Sequence, residues 1–267
     1  MTTPNPDYLK NEQYKDSARL QARARLHADY SRNPYSWFEW QFDFYQSLPV
    51  NAHILELGAG PGWLWLKNAQ RIPAGWRITL SDFSAGMVEE QRQNLARIQR
   101  PFEFAEIDIQ SIPYDDATFD GIIANHMLYH VPDRPKAIAE MRRVLKSGGT
   151  LYTATNGDHH LQEIHQLLAG FGFKLADYLG GFTGVRTYTL ENAADQLHAS
   201  FEHVELHRYD DEILLTEPKP LLDYILSFPI QFSPERVRAL QTFIEVEFSQ
   251  HNGQFLITKD MGVLIAR

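Results

Sequence analysis

The pattern of apolar and polar positions predicts strands that alternate with helices along most of the chain. Strands are indicated by short apolar runs or by apolar–polar alternation, at residues 54–57, 76–80, 102–107, 119–124, 150–155, 201–209 and 262–266. Helices are indicated by apolar residues on one face or by stretches without breakers, at residues 63–71, 85–97, 134–146, 161–168 and 190–201. This alternation favours the α/β class, in which a parallel sheet carries helices on both faces.

Residues 1–50 and 212–252 lie outside this alternation. The first segment combines a helical stretch with a run of aromatic residues between positions 35 and 45, so we predict helices that cover the sheet edge or cap a pocket. The second segment has the pattern of two further helices, at residues 221–228 and 233–250. Residues 170–184 are rich in glycine and aromatic residues, and we predict a mobile lid there.

Composition and charge narrow the class of protein. The 267 residues are 43% hydrophobic and 22% charged, which is ordinary for a globular chain. A net charge of −9 disfavours nucleic acid as the main partner, because phosphate binding needs a basic face. No apolar run approaches a membrane span and no signal-peptide core is present, so we expect a cytoplasmic protein without a membrane partner. The absence of cysteine excludes disulfides, thiolate catalysis and zinc–thiolate sites.

A glycine-rich turn follows the first predicted strand, within the sequence HILELGAGPGWLWL at residues 53–66. Its glycines have the spacing G-x-G-x-G, at Gly58, Gly60 and Gly62. The dinucleotide fingerprint G-x-G-x-x-G would place its last glycine where this chain has Trp63. We expect Glu56 to accept hydrogen bonds from the amides of the turn, to repel a pyrophosphate and to tolerate a cationic cofactor.

An acid ends the second predicted strand. A carboxylate at the position of Asp82 can accept both ribose hydroxyls of a nucleoside, although it can also serve as a local cap for the next helix. Phe83 is a candidate for stacking on adenine, with simple packing as the alternative.

The segment ELGAGPG resembles motif I of the class I S-adenosylmethionine-dependent methyltransferases, and the segments after the third and fourth predicted strands resemble later motifs of the same family. The resemblance covers roughly residues 50–157 and is specific to the cofactor rather than to the substrate. It implies a Rossmann-like doubly wound sheet of seven mostly parallel strands, with the last strand antiparallel between the fifth and the sixth. It also implies that S-adenosyl-L-methionine is bound by Glu56, Gly58, Ala59, Gly60, Gly62, Asp82, Phe83, Met87, Asp108, Ile109 and Asn125.

Within that resemblance, Asp108 is the acid that accepts from the adenine amino group, and the backbone of Ile109 completes the adenine contact. The backbone carbonyl of Asn125 is expected to face the amino group of the cofactor. The predicted organisation is a helical cap segment at residues 1–50 and one methyltransferase domain at 51–267, with insertions that cap the substrate near 158–184 and 212–252.

The acceptor side of the site is less specific. His126 and His130 follow the fourth strand and are candidate general bases, with a role in shaping the pocket as the alternative. Their spacing also suits a metal, but no acid supports them, and we expect no metal. Candidate residues of the substrate pocket are Tyr14, Trp37, Tyr129, Asn156, His160, Tyr178, Phe182 and Tyr224.

The sequence therefore predicts transfer of a methyl group from S-adenosyl-L-methionine to an O, N or C nucleophile of a small molecule in a capped pocket. A nicotinamide-dependent oxidoreductase is the enzymatic alternative, which Trp63 and Glu56 disfavour. A non-catalytic module that binds S-adenosylmethionine is the alternative from a different class. Composition is compatible with a monomer or a homodimer.

Overall fold

The computed structural model describes residues 18–173, 187–228 and 232–267. The strands in these ranges are β1 His53–Glu56, β2 Arg77–Asp82, β3 Glu103–Glu106, β4 Phe119–Asn125, β5 Leu145–Asn156, β6 Val204–Tyr209, β7 Glu212–Leu215, β8 Phe255–Thr258 and β9 Met261–Ala266. The α-helices are α1 Ala18–Asp29, α2 Trp37–Tyr45, α3 Trp63–Lys67, α4 Ala85–Leu95, α5 Arg134–Val144, α6 Gln162–Gly170, α7 Ala193–Leu197, α8 Lys219–Leu226 and α9 Pro234–Gln250. Each helix in the described part of the chain is too short or too polar to cross a bilayer.

Seven strands form one sheet in the order β3-β2-β1-β4-β5-β9-β6. β1 pairs in parallel with both β2 and β4, so Glu56 lies beside Leu80 on one side and Ile123 on the other. β9 is antiparallel to β5 and to β6. The predicted α/β fold, with a doubly wound sheet and an antiparallel last strand, is confirmed. The strand order reverses at β1 and β4, and this reversal places a ligand crevice at the carboxyl edge of these strands.

Two predicted helices are shorter than their patterns indicated. The helix predicted over 63–71 stops after α3, where the side chain of Asn68 donates a hydrogen bond to the Leu64 carbonyl oxygen at 2.9 Å. The Asn68 amide also donates to the Phe38 carbonyl oxygen at 2.9 Å. An asparagine that bonds to nearby backbone offers the chain an alternative to continuing the helix, and a 3₁₀ turn at Ala69–Arg71 follows. The helix predicted over 190–201 is reduced to α7.

Two apolar clusters cover the two faces of the sheet. Alternate residues of a strand point to opposite faces, so Ile122 of β4 belongs to one cluster with Met141 of α5, while Ile123 belongs to the other with Trp65 of α3. All four side chains are fully buried, at 0% exposure. Burial on both faces explains why the central strands consist of almost continuous apolar residues.

A third apolar cluster, called here the cap cluster, lies outside the sheet. It contains buried side chains from α1, α6, α8 and α9, including Leu26, Ile164, Ile225 and Ile244. The helices predicted at 221–228 and 233–250 are confirmed as α8 and α9. The sequence analysis missed β7, which pairs antiparallel with β8. Ile213 and Leu215 of β7 are buried, whereas Leu214 between them is only partly buried.

The N-terminal segment is attached to this small sheet by backbone and buried charge. Ser31 forms a β-bridge with Ile213, and the Arg32 amide donates to the Glu212 carbonyl oxygen at 2.9 Å. Beside this bridge, Lys259 and Asp211 form an ion pair whose side chains are only 2% and 0% exposed. A buried pair of this kind resists separation, because losing one partner leaves the other charge uncompensated.

The close approach of β9 to β6 gives a prediction for Gly262→Ala. A Cβ at Gly262 would lie 2.5 Å from the His207 carbonyl oxygen, a backbone atom that cannot move away without disturbing the strand pair. We expect a loss of roughly 1–3 kcal/mol in the free energy of unfolding, measured by urea denaturation. Gly170→Ala is the matched control: its Cβ would meet only a Phe243 ring atom at 3.5 Å, and alanine favours the helix, so stability should not fall. Equal stability of the two variants would contradict this packing argument.

Candidate cofactor and acceptor site

The glycine turn between β1 and α3 has a backbone conformation that requires glycine. Gly58, Gly60 and Gly62 have φ values of +66°, +54° and +78°, a region that residues with a side chain rarely adopt. At Gly58 an added Cβ would also lie 2.9 Å from the Met127 side chain, in the loop after β4. The spacing of the glycines is therefore set by the path of the backbone at the carboxyl edge of the sheet.

Three amides of this turn already have hydrogen-bond partners within the protein. The Ala59 N–H donates to the Ser81 carbonyl oxygen at 2.9 Å, and the Gly62 N–H donates to the Ala59 carbonyl oxygen at 3.1 Å. The Gly60 N–H donates to Oδ2 of Asp82 at 3.0 Å. These amides do not point freely at a ligand, and a turn of this kind is poorly suited to cradling a pyrophosphate.

Two side chains of α4 brace the same turn. Gln91 donates to the Gly60 carbonyl oxygen at 2.8 Å, and Asn94 donates to the Pro61 carbonyl oxygen at 2.9 Å. The sequence analysis missed both residues. Their spacing of three on one helix was the available signal, since residues three apart lie on the same face.

Glu56 is buried beneath the turn, at 3% exposure. Its carboxylate accepts a hydrogen bond from the indole N–H of Trp65. The expectation that Glu56 accepts from the amides of the turn is wrong for Ala59, Gly60 and Gly62, because those amides bond elsewhere. Burial raises the pKa of Glu56 to about 7, and the nearby negative charge of Asp82 acts in the same direction.

Asp82 lies at the end of β2 and joins two elements of the candidate site. Besides the bond from Gly60, its Oδ1 accepts from the Ser84 N–H at 2.9 Å. Burial raises the pKa of Asp82 above its ordinary value, while the backbone N–H donors oppose that shift. Ser84, and not Asp82, is the N-cap of α4, because its hydroxyl accepts from the Met87 amide at 3.4 Å. The carboxylate of Asp82 is therefore held at the carboxyl edge, where a ribose would be bound.

The remaining candidates for cofactor binding lie in the adjacent loops and at the start of α4. Phe83 is 38% exposed, whereas Met87 is buried at the start of α4. Asp108 follows β3 and accepts from the Gln110 amide at 2.9 Å, the local turn interaction that an aspartate makes most readily. Ile109 is buried next to it. Their adenine-binding roles stay predictions.

Two asparagines end the strands on the acceptor side. Asn125 ends β4 and Asn156 ends β5, and the register of these strands pairs Asn125 with Ala154. Because side chains alternate along a strand, Asn125 and Asn156 point to the same face of the sheet. Asn125 donates to the hydroxyl of Tyr45 at 3.0 Å. The Oδ1 atoms of both asparagines are buried and have no hydrogen-bond partner within the described residues.

Three histidines converge above this edge from separate elements. His27 of α1 stacks on His160, which follows β5, with 5.5 Å between ring centroids and 7° between ring planes. His126, directly after β4, lies 5.5 Å from the ring of Trp37. It has a φ of +51°, which is unusual for a residue other than glycine and recurs at functional sites. The sequence analysis missed His27, because nothing in the local pattern of α1 distinguishes it from a surface residue.

Burial keeps these imidazoles neutral. It lowers the pKa of His27 to about 3 and the pKa of His126 to about 4. The pKa of His160 is also well below its ordinary value, first because of burial and then because of His27 and His126. Neutral imidazoles offer a ligand one donor and one acceptor each.

The other predicted pocket residues are more scattered. His130 lies in the 3₁₀ turn Leu128–His130, with its ring 4.6 Å from that of Tyr129, and burial lowers its pKa to about 3. Tyr224 of α8 contacts His27 edge to face at 6.4 Å. Tyr14, Tyr178, Phe182 and residues 174–184 of the lid predicted at 170–184 lie outside the described residues. In the ranges that the structure describes, no group of three or more His, Asp or Glu side chains could hold a metal ion.

The observed strand order, with the antiparallel β9 between β5 and β6, is the arrangement that the resemblance to class I methyltransferases implied. A family model described as "Methyltransferase domain" matches residues 55–153. Residues 55–153 are therefore similar to a methyltransferase domain.

Two curated proteins illustrate the similarity. The ubiquinone/menaquinone biosynthesis C-methyltransferase UbiE of Marinomonas sp. (strain MWYL1) is 27% identical over 156 residues, which are 58% of this chain and 59% of that protein. The demethylmenaquinone methyltransferase of Clavibacter sepedonicus is 37% identical over 98 residues, which are 37% of this chain and 38% of that protein. The chain therefore matches less than two thirds of the length of these relatives.

Solved structures show the same fold at low identity. Phosphoethanolamine N-methyltransferase 2 of Haemonchus contortus, in complex with S-adenosyl-L-methionine, has a TM-score of 0.60 and 16% identity, covering 98% of this chain and 59% of that chain. The [4+2]-cyclase SpnF has a TM-score of 0.58 and 18% identity, covering 100% of this chain and 97% of that chain. These likenesses concern the fold alone.

The position of Asp82 gives a prediction for cofactor binding. Asp82→Ala removes a charged acceptor for ribose hydroxyls and the partner of the Gly60 amide, so binding of S-adenosylhomocysteine should weaken by roughly 1.5–3 kcal/mol in calorimetry. Asp133→Ala is the control, since Asp133 caps α5 by accepting from the Lys136 amide and is not among the cofactor candidates. If Asp82→Ala binds as tightly as the parent, the ribose role is wrong.

The buried carboxyl of Glu56 gives a prediction about pH. Its pKa is about 7 in the folded chain and about 4.5 when exposed. Between these values the folded state keeps a proton that the unfolded state has released, so this group lowers stability as pH rises from 4.5 to 7. Glu56→Gln should therefore be more stable than the parent above pH 7, by roughly 2–3 kcal/mol, and should lose the advantage near pH 4.5.

Urea denaturation at several pH values measures this difference. Glu89→Gln, on the exposed side of α4, controls for the loss of one negative charge. A pH-independent difference between Glu56→Gln and the parent would show that the carboxyl is not held in the protonated form.

Proposed function

We propose that this protein transfers a methyl group from S-adenosyl-L-methionine to a small-molecule acceptor. The observation that carries the proposal is the charge arrangement of the glycine turn. Three of its amides are bonded internally, and the carboxyls of Glu56 and Asp82 lie beside it. A cofactor with a sulfonium and an ammonium is compatible with these acids, whereas a dinucleotide would bring its pyrophosphate against them without free amides to hold it.

The residues fit this cofactor as a set of acceptors. Asp82 would take the ribose hydroxyls, Asp108 the adenine amino group, and the Asn125 backbone carbonyl the ammonium of the methionine part. When bound, S-adenosylmethionine supplies an electrophilic methyl carbon, whose bond to sulfur breaks, with the electron pair remaining on sulfur, as the acceptor atom bonds to it. The protein mainly has to place the acceptor in line and keep water out.

The acceptor side offers the groups for that task. Trp37, at the start of α2, contacts the rings of both His126 and Tyr209, at 5.5 Å and 5.3 Å. These rings form an apolar wall directly after β4. His126 is unprotonated at neutral pH, so its free ring nitrogen can accept a hydrogen bond or a proton from an attacking O–H or N–H group. His130 stays the second candidate for this role.

A non-catalytic or differently catalytic protein on the same scaffold is the alternative. The [4+2]-cyclase SpnF matches the full length of this chain in fold, and it is named as a cyclase rather than a methyltransferase. The neutral histidines at the carboxyl edge favour a catalytic site that accepts a proton from the acceptor molecule. The fold by itself is common to methyltransferases and to the cyclase.

The class of binding partner follows from the net charge and from the cover over the carboxyl edge. A net charge of −9 and a covered carboxyl edge suit a compact small molecule rather than a nucleic acid. A cytoplasmic location and a monomeric or homodimeric state complete the proposal.

Calorimetry with two cofactors tests the proposal. S-adenosylmethionine and S-adenosylhomocysteine should bind saturably and raise the melting temperature by mass action, and NAD should not. If NAD binds as tightly as S-adenosylmethionine or more tightly, the methyltransferase proposal is wrong and an oxidoreductase is favoured. Incubation with candidate acceptors and S-adenosylmethionine, followed by mass spectrometry for S-adenosylhomocysteine, then separates turnover from binding without catalysis.

A further inference from the structure

The histidines above the carboxyl edge belong to a buried polar cluster, called here the chamber and defined by His27, His126, His160 and Asn156. Their positions on α1, after β4 and after β5 mean that no single segment builds it. The stacking of His27 on His160 at 5.5 Å fixes two of its walls. Asn156 precedes His160 by four residues, at the end of β5. His126 is near enough to both stacked rings to oppose their protonation.

The chamber contains buried polar atoms with no hydrogen-bond partner among the described residues. They are Nδ1 of His27, Nδ1 of His160 and Oδ1 of Asn156. Native proteins satisfy nearly all buried polar atoms, because one left unpaired has lost its hydrogen bonds to water without replacement. Three such atoms within one chamber are explained if a ligand completes them. The Asn156 oxygen can only accept, and each unpaired Nδ1 donates or accepts according to the tautomer of its imidazole, so the ligand must bring groups that can do both, as a hydroxyl does.

The charges around the chamber argue against an ionic ligand. The carboxylate of Asp211 already accepts from Lys259, from the Ser31 hydroxyl at 2.6 Å and from the Asn33 amide at 2.9 Å. It has no capacity left for an ammonium group. The ammonium of Lys259 is held by this carboxylate and donates to the His27 carbonyl oxygen at 3.4 Å, so it is equally committed and does not recruit an anion.

We propose that this chamber is the acceptor site, that it selects a compact, uncharged molecule with hydroxyl groups, and that His27 is a specificity-determining residue of it. The proposal rests on the proposed function for the reaction that follows. Hydroxyls form hydrogen bonds with His27, His160 and Asn156, which leaves the acceptor between these residues and the wall formed by Trp37 and His126. The chamber thereby rejects amines and carboxylates, because it has no uncommitted charge to balance either.

Nuclear magnetic resonance with ¹⁵N-labelled histidine tests the selection directly. Benzyl alcohol, benzylamine and benzoate share one ring and differ in charge at pH 7. Added to the full chain with S-adenosylhomocysteine, benzyl alcohol should move the side-chain nitrogen signals of His27 and His160 saturably. Its dissociation constant should be at least tenfold lower than those of the other two probes.

Variants separate the chamber from the cofactor site. His27→Phe keeps an aromatic ring but no ring nitrogen, and should weaken benzyl alcohol binding at least tenfold. His27→Gln keeps a hydrogen-bonding group and should weaken it less than threefold. His159→Phe, on the exposed face of the same segment as His160, is the control and should bind like the parent. All three should bind S-adenosylhomocysteine with unchanged affinity in calorimetry.

Several results would overturn the proposal. One is binding of benzylamine or benzoate that is as tight as that of benzyl alcohol or tighter. The second is the absence of a saturable shift with benzyl alcohol. The third is parental affinity for benzyl alcohol in His27→Phe. If His27→Phe melts below the temperature of the experiment, His160→Phe replaces it with the signals of His27 as the readout, and parental affinity for benzyl alcohol there also overturns the proposal. Failure of S-adenosylhomocysteine to bind the parent would overturn the proposed function and not the chamber. The two failures can be distinguished because the probe titrations can also be carried out without S-adenosylhomocysteine.

Discussion

The hydrogen bond from the Gly60 amide to the Asp82 carboxylate is the contact on which the candidate site depends. It joins the turn after β1 to the end of β2, across 22 residues of chain. Because the turn has left-handed φ angles, its backbone cannot satisfy its amides by continuing as a strand or a helix. The carboxylate satisfies one of them, and Gln91 and Asn94 hold the carbonyls on the other side. The turn is thus shaped before any ligand arrives.

This rigidity has an electrostatic consequence. Two carboxyls, of Glu56 and Asp82, lie near one another in surroundings that disfavour charge. Each raises the free energy of the folded chain when ionised. A cationic ligand reduces that repulsion and an anionic ligand increases it, so the same residues that shape the turn also choose the sign of the cofactor charge.

The cap is held by a different kind of interaction. The cap cluster buries apolar residues of α1, α6, α8 and α9 against the small β7–β8 sheet, and the Asp211–Lys259 pair joins the N-terminal segment to it. A charged pair at 0% and 2% exposure adds little net stability but tolerates few alternative arrangements. Its position next to the His27 carbonyl links the orientation of α1 to the wall of the chamber.

The positions of the glycine turn and of Asp82 could be predicted from the sequence because their determinants are local. Strand, glycine turn and helix are contiguous in 53–67, and the acid that completes them ends the next strand, so periodicity and glycine spacing were sufficient. The acceptor half could not be predicted in the same way. His27 lies on α1, and its carbonyl meets Lys259 across 232 residues, while β7 and β8 pair across the insertion. Such contacts depend on how separate elements pack, and only the tertiary structure decided which polar side chains share one buried space.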